Sequence, residues 1–115
     1  MEKQNVILDK SFEFALIIVE FSEELESVKK FVIARQLLRS GTSIGANVRE
    51  AQSSESRADF VHKMKIAAKE AAETEYWLLL CKHSKGYPYN DLLLPKLEEI
   101  QKLLSSIISS AKNNH

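Results

Sequence analysis

Apolar residues recur along this chain at alternating spacings of three and four, the pattern of helices that each bury one face. The most informative stretch runs from Arg35 to Arg57. Its apolar stripe is Ala34, Leu37, Gly41, Ile44, Val48 and Ala51, which predicts a helix although each glycine costs roughly 1 kcal/mol relative to alanine. A polar stripe lies one residue earlier, at Gln36, Ser40, Ser43, Asn47 and Glu50. A third stripe carries Arg35, Arg39 and Arg49, with Thr42 and Ala46 between them. Gly41 and Gly45 fall on adjoining turns, which points to close approach of another backbone, from the same chain or a neighbouring subunit. A kink or helix end at Gly45 is the alternative.

The same periodicity marks three further helices. The first is expected over residues 6–26, with two apolar stripes on different sides: Leu8, Phe12, Ala15 and Val19 on one, Phe14, Ile18, Phe21 and Leu25 on the other. A surface helix of a monomeric bundle needs only one such stripe. The second, Phe14, Ile18, Phe21 and Leu25, is therefore assigned to contact between subunits. Ser27 is placed to cap the next helix, over residues 28–52. After the polar connector at 53–56, a third helix is expected over 56–84, opened by Ser56 with Asp59 in capping-box spacing. Its stripe is Phe60, Met64, Ala67, Ala71, Thr74, Leu78 and Cys81. The small middle (Ala67, Ala68, Ala71, Ala72) is expected to face the Gly/Ser-rich side of the second helix. Gly86 suits a left-handed position after the third helix, and Pro88 prevents continuation. The fourth helix, residues 91–111, carries Leu93, Leu97, Ile100, Leu104, Ile107 and Ala111; its first turn is expected near Asp91–Leu94, with Pro95 either within the first turn or at a kink, and a frayed tail from Lys112 to His115. Four stripes with short connections predict a single all-α domain over 1–115, an antiparallel up-down-up-down four-helix bundle.

Composition narrows the setting. The chain has 115 residues with three Gly and two Pro, enough for a core and suited to helices. Cys81 is the single cysteine, so no intrachain disulfide forms and a reducing compartment is expected; on its apolar stripe it reads as packing rather than as a nucleophile. The N-terminal MEKQNVILDK is charged and has no long apolar run, so no signal peptide is expected. The run from Phe12 to Phe21 is broken by Glu13 and Glu20 and is too short to span a bilayer. These features predict a cytoplasmic protein without membrane attachment.

Net charge is zero, but its distribution is uneven: residues 29–69 hold nine Lys/Arg against three acids. Such asymmetry suits one surface to a polyanion. The candidates for contacting RNA or DNA are Arg35, Arg39, Arg49, Arg57, Lys63, Lys65 and Lys69. Ordinary solvated helix faces would present the same charges. No aromatic residues interleave with them, so contact through phosphate charge and shape is favoured over base stacking.

Catalytic and metal signatures are missing. His62, His83 and His115 pair with no cysteine, and neither H-x-x-x-H nor E-x-x-H occurs. Glu70 and Glu73 read as a solvated face, whereas Glu75 is placed to reach Ser43 or Asn47. The expectation is a protein that is not an enzyme and takes no cofactor. Gln36, Ser40, Ser43, Asn47 and Glu50 are expected to form a buried hydrogen-bonded network at a helix or subunit boundary.

The run QLLRSGTSIGANVREA, followed by FVHKMKIAAKEAAETEYWL, resembles the four-helix-bundle family encoded in intervening sequences of 23S rRNA genes. The same fold is found in the accessory proteins of diversity-generating retroelements. The family core Q-L-x-R-S-x-x-S-I-x-x-N-x-x-E is matched by Gln36, Leu37, Arg39, Ser40, Ser43, Ile44, Asn47 and Glu50. Where the family continues E-G into a basic loop, this chain has Ala51 and then Gln52-Ser53-Ser54-Glu55. The resemblance implies a ring-shaped homopentamer. For the retroelement relatives it also implies nucleic-acid binding and association with a reverse transcriptase. Two functions follow as expectations: a non-catalytic oligomer that binds RNA or DNA through a basic face on the second and third helices, or a protein-interaction adaptor with no nucleic-acid binding of its own.

Overall fold

A computed structural model describes residues 5–113. It contains four helices, α1 (Val6–Ser27), α2 (Phe31–Ala51), α3 (Arg57–His83) and α4 (Leu93–Asn113). Each helix touches only its two neighbours, α1 with α2, α2 with α3, α3 with α4, and α4 with α1. The result is a square antiparallel bundle, 50 × 27 × 21 Å. No described helix is long and apolar enough to cross a membrane.

The helix ends follow local side-chain chemistry. The Asn5 side chain accepts the Leu8 amide at 3.2 Å, and its own amide donates to Gln52 at 3.0 Å, tying the start of α1 to the end of α2. Ser56 caps α3 by accepting from the Asp59 amide at 3.0 Å, and the Asp59 carboxylate accepts from the Glu55 amide at 3.4 Å. Gly86 is left-handed, with φ +78°. Pro95 falls in the first turn of α4, where a missing amide proton costs nothing.

The turn between α1 and α2 departs from expectation. Ser27 stays inside α1 and donates to the Glu24 carbonyl at 2.6 Å, so it caps nothing, and α2 begins at Phe31 instead of 28. The chain reverses through Lys29 at φ 68°. The Lys29 and Lys30 amides bond back to the Glu26 and Leu25 carbonyls, each at 2.9 Å. This is a Schellman closure with lysine where glycine is usual, and it takes three residues that a continuous helix would have used.

Phe14, Ile18, Phe21 and Leu25 lie in the bundle core at 1%, 0%, 2% and 0% exposure, so they are unavailable for contact between subunits. The outward apolar strip of α1 is instead Phe12, Leu16 and Val19, at 55%, 51% and 40%. The reason lies on α2. A Cβ on Gly45 would stand 3.3 Å from the Ser11 carbonyl, and one on Gly41 would stand 2.9 Å from Ile18 Cγ1 and Cγ2. The α1 face bearing Ser11 and Ile18 is therefore the one that nests on α2, and Phe12 rotates outward with its own stripe. Both glycines face α1, not the alanine-rich middle of α3. The side of α2 that meets α3 carries Ser40, with Arg39 and Glu50 at its margin.

The core is completed by Leu37, Ile44 and Val48 of α2, Met64, Ala67, Ala71 and Leu78 of α3, and Leu93, Leu97, Ile100 and Leu104 of α4. Helix α4 continues to Asn113, so Lys112 is helical rather than frayed, while His115 lies outside the described residues.

Candidate nucleic-acid interface

The seam between α2 and α3 takes up two of the candidate cations. Arg39 binds both Glu70, at 3.3 Å, and Glu73, and Trp77 Nε1 donates to the same Glu73 carboxylate at 2.9 Å. Lys63 Nζ binds Glu50 Oε1 at 3.0 Å, and that hydrogen bond and charge hold the lysine pKa above its ordinary value. Glu70 and Glu73 are therefore engaged in a bridge to α2 rather than forming a free solvated face.

Arg35, Arg49, Arg57, Lys65 and Lys69 are exposed and form no ion pair among the described residues. Arg49 lies apart from Arg57 and Lys65. Arg49 borders a groove between α1 and α2 beside Phe12, Thr42 and Ala46. Arg57 and Lys65 lie on the α3–α4 side, with His62 and Lys112. The continuous basic face expected across α2 and α3 is broken where Arg39 and Lys63 meet their carboxylates. Lys112, expected in a frayed tail, is instead held in the last turn of α4. The signal for it was the stripe reaching Ala111, and a lysine in the last turn, where it complements the helix dipole.

The expected buried network of Gln36, Ser40, Ser43, Asn47 and Glu50 reduces to one member. Ser40 is fully buried, and its hydroxyl shares a 2.9 Å hydrogen bond with that of Thr74. Thr74 Oγ1 is also 2.7 Å from the Glu70 carbonyl, which can only accept. With one proton per hydroxyl, Thr74 donates to that carbonyl and Ser40 donates to Thr74. The other four are satisfied locally or at the surface. Ser43 donates to the Arg39 carbonyl at 2.6 Å, Asn47 donates to the Ser43 carbonyl at 2.9 Å, and Gln36 accepts from Arg39 at 3.3 Å. Glu50 holds Lys63 as described. A helix supplies its own carbonyls as partners, which is why these residues need no neighbouring chain. Glu75 also faces away from its expected partners: it accepts from Gln101 of α4 at 3.1 Å.

Cys81 is 1% exposed, and burial pushes its thiol up to about 11, which leaves it protonated and inert at neutral pH. Among the described residues, no three of His, Cys, Asp and Glu are grouped to hold a metal ion.

Comparison with known proteins agrees with this fold. The sequence profile for "23S rRNA-intervening sequence protein" matches residues 3–106. A crystal structure of a protein of unknown function from the S23 ribosomal protein family of Bacteroides thetaiotaomicron is 50% identical, with a TM-score of 0.86. That match covers 91% of this chain and 96% of the other. No curated protein matches the chain. With the Gln36–Glu50 core seated on α2 of a four-helix bundle and the profile spanning most of its length, the chain belongs to the 23S rRNA-intervening sequence protein family.

Proposed function

We propose that this protein is a non-catalytic cytoplasmic bundle that self-associates and binds RNA or DNA through phosphate contacts. One observation carries the reading: on a protomer of zero net charge, Arg35, Arg49, Arg57, Lys65 and Lys69 stand exposed without carboxylate partners. Their acidic complement is concentrated elsewhere, as at Glu23, Glu24 and Glu26 near the end of α1. Self-association is supported by the outward strip of Phe12, Leu16 and Val19, with exposed Leu38 on adjoining α2. The family resemblance implies a ring of five copies. Repeating a modest basic patch around a ring raises affinity through multivalency without any new contact.

The test is binding of labelled structured RNA and duplex DNA across a salt series, with oligomeric mass measured by light scattering. The expected logarithm of affinity falls linearly with the logarithm of salt concentration, by about 0.9 per phosphate neutralised on a duplex. The double substitution Phe12→Ser, Leu16→Gln is expected to yield a monomer that keeps its helicity and binds at least tenfold more weakly. Absence of binding at low salt removes this reading. It leaves the same apolar strip, with Phe12 and Leu16 more than half exposed, as the docking face of an adaptor for a reverse transcriptase or other nucleoprotein partner.

A further inference from the structure

Away from the α2–α3 seam, a two-lobed cleft runs between the first half of α3 and the last turns of α4. One lobe has a volume of about 530 Å³ and the other about 460 Å³. Both are bordered by Lys65 and Lys112, so the lobes are continuous across this lysine pair. The first lobe has Ala68 and Ile108 on its floor and Ser105 and Ser109 along its α4 rim. The second has half-buried Val61 and Ala111 on its floor and is also bordered by Arg57, Ala58 and His62.

We propose that this cleft is the seat of the nucleic-acid strand, holding successive phosphates at Lys65, Lys112 and Arg57 with the sugars over the apolar floor. This inference rests on the nucleic-acid reading above and moves its centre from the α2–α3 face to the α3–α4 face. Three features select a sugar–phosphate backbone. First, charge is uncompensated: Arg57, Lys65 and Lys112 border the cleft, no carboxylate lines either lobe, and none of the three forms an ion pair among the described residues. Exposed cations gathered without counter-charge raise the local concentration of a polyanion. Secondly, the shape is extended. Two lobes, each in the size range of a small-ligand site, joined at a shared lysine pair, suit a repeating chain better than a single compact anion. Thirdly, the lining is chemically plain. It holds no Phe, Tyr or Trp, only the imidazole of His62 in the second lobe, whereas the serine hydroxyls of α4 can donate to phosphate oxygens, as expected for contact made mainly through the backbone.

The location also accounts for a basic pair that the α2–α3 surface leaves unexplained. Lys65 and Lys69 are one turn apart and repel, at a small cost to the helix. Lys65 and Lys112 border the same cleft, so their like charges add a second repulsion that an anion bound there relieves.

The experiment compares two charge-matched double variants of the full chain, both checked for oligomeric mass and helicity. One is Lys65→Glu with Lys112→Glu, in the cleft; the other is Arg35→Glu with Arg49→Glu, on α2. The probes are a labelled single-stranded oligonucleotide and a labelled RNA hairpin. The cleft pair is expected to lower affinity at least tenfold more than the α2 pair. It should also reduce the log–log salt slope by about 1.4 on the single strand, since each phosphate contributes about 0.7. In the opposite sense, Ser105→Lys adds a cation at the rim and should tighten binding several-fold, which keeps the test decisive if the cleft pair fails to fold. Wild-type binding with equal losses in the two double variants, and no gain from Ser105→Lys, overturns the cleft while leaving the nucleic-acid function in place. No wild-type binding by either probe overturns both. Tighter binding of a labelled poly-glutamate peptide than of either oligonucleotide, lost in the cleft pair, reassigns the cleft to an acidic protein partner and overturns the proposal.

Discussion

The two long edges of α2 are built on opposite plans. Toward α1 the helix presents bare backbone: Gly41 lets Ile18 in, and Gly45 lets the Ser11 carbonyl in. Toward α3 it presents hydrogen-bonding groups, Ser40 to Thr74 in the interior and Arg39 and Glu50 to their charged partners at the margin. The first edge sets how close two helices come, because dispersion and burial reward contact of any register that fills the space. The second edge has direction, because a hydroxyl pair or an arginine between two carboxylates is satisfied in only one alignment. One helix thus has its spacing fixed on one side and its register on the other.

The largest effect should come from filling the tight edge. A Cβ at Gly41 would already lie 2.9 Å from two Ile18 carbons in the core, and those carbons sit too near the backbone to swing away. Gly41→Leu is expected to cost about 3 kcal/mol, the upper part of the usual overpacking range. Chemical denaturation with an unchanged m-value would read this as a shift of the midpoint. Gly41→Ala carries a smaller version of the same clash, offset by roughly 1 kcal/mol of helix propensity. Its residual cost should vanish or become a gain in an Ile18→Ala background. Gly45→Ala sets a lower bound, because 3.3 Å from the Ser11 carbonyl is tight without overlap, and it should be close to neutral. Equal costs at the two glycines would break the account of this edge.

The polar edge is tested next by Thr74→Val. This change keeps shape but removes the acceptor for a fully buried Ser40 hydroxyl. The expected loss is about 1–2 kcal/mol, the cost of an unpaired buried polar group. Adding Ser40→Ala should return at least half of it, since removing both hydroxyls leaves nothing unsatisfied. A double variant as unstable as the sum of the singles would mean that the two hydroxyls do not act as a pair.

This contrast also explains what the amino-acid pattern could convey. The four helices, the core stripes of α2, α3 and α4, the Ser56 cap and the left-handed Gly86 are all written locally, within a few residues of where they act. Helix α1 is different, because its two apolar stripes are comparable in size and nothing on the helix itself ranks them. The deciding information sits on α2, where Gly41 receives Ile18 and Gly45 receives Ser11, so the face bearing those two residues is the one that nests. Partners of charged residues are equally non-local. Arg39 reaches acids 31 and 34 positions away, and Lys63 one 13 positions away, so a list of cations cannot reveal which are neutralised. The position of Lys112 is non-local too, since it comes beside Lys65 only because α4 ends along the first half of α3.

The smallest effect belongs to the margin of the polar edge. Arg39 is about half exposed, and its two ion pairs lie in the regime where surface bridges contribute at most about 1 kcal/mol. Arg39→Gln should therefore destabilise by under about 1 kcal/mol, less than Thr74→Val although it severs two charged contacts rather than one hydroxyl pair. The deficit should shrink in 1 M salt, where the screening length falls to about 3 Å, while that of Thr74→Val should not, because its hydroxyl pair is buried. Nucleic-acid affinity should change little with Arg39→Gln, since that guanidinium already has carboxylate partners. A loss at Arg39 larger than at Thr74, or one insensitive to salt, would place the stability of this edge at its charged margin and undo the division between its interior and its rim.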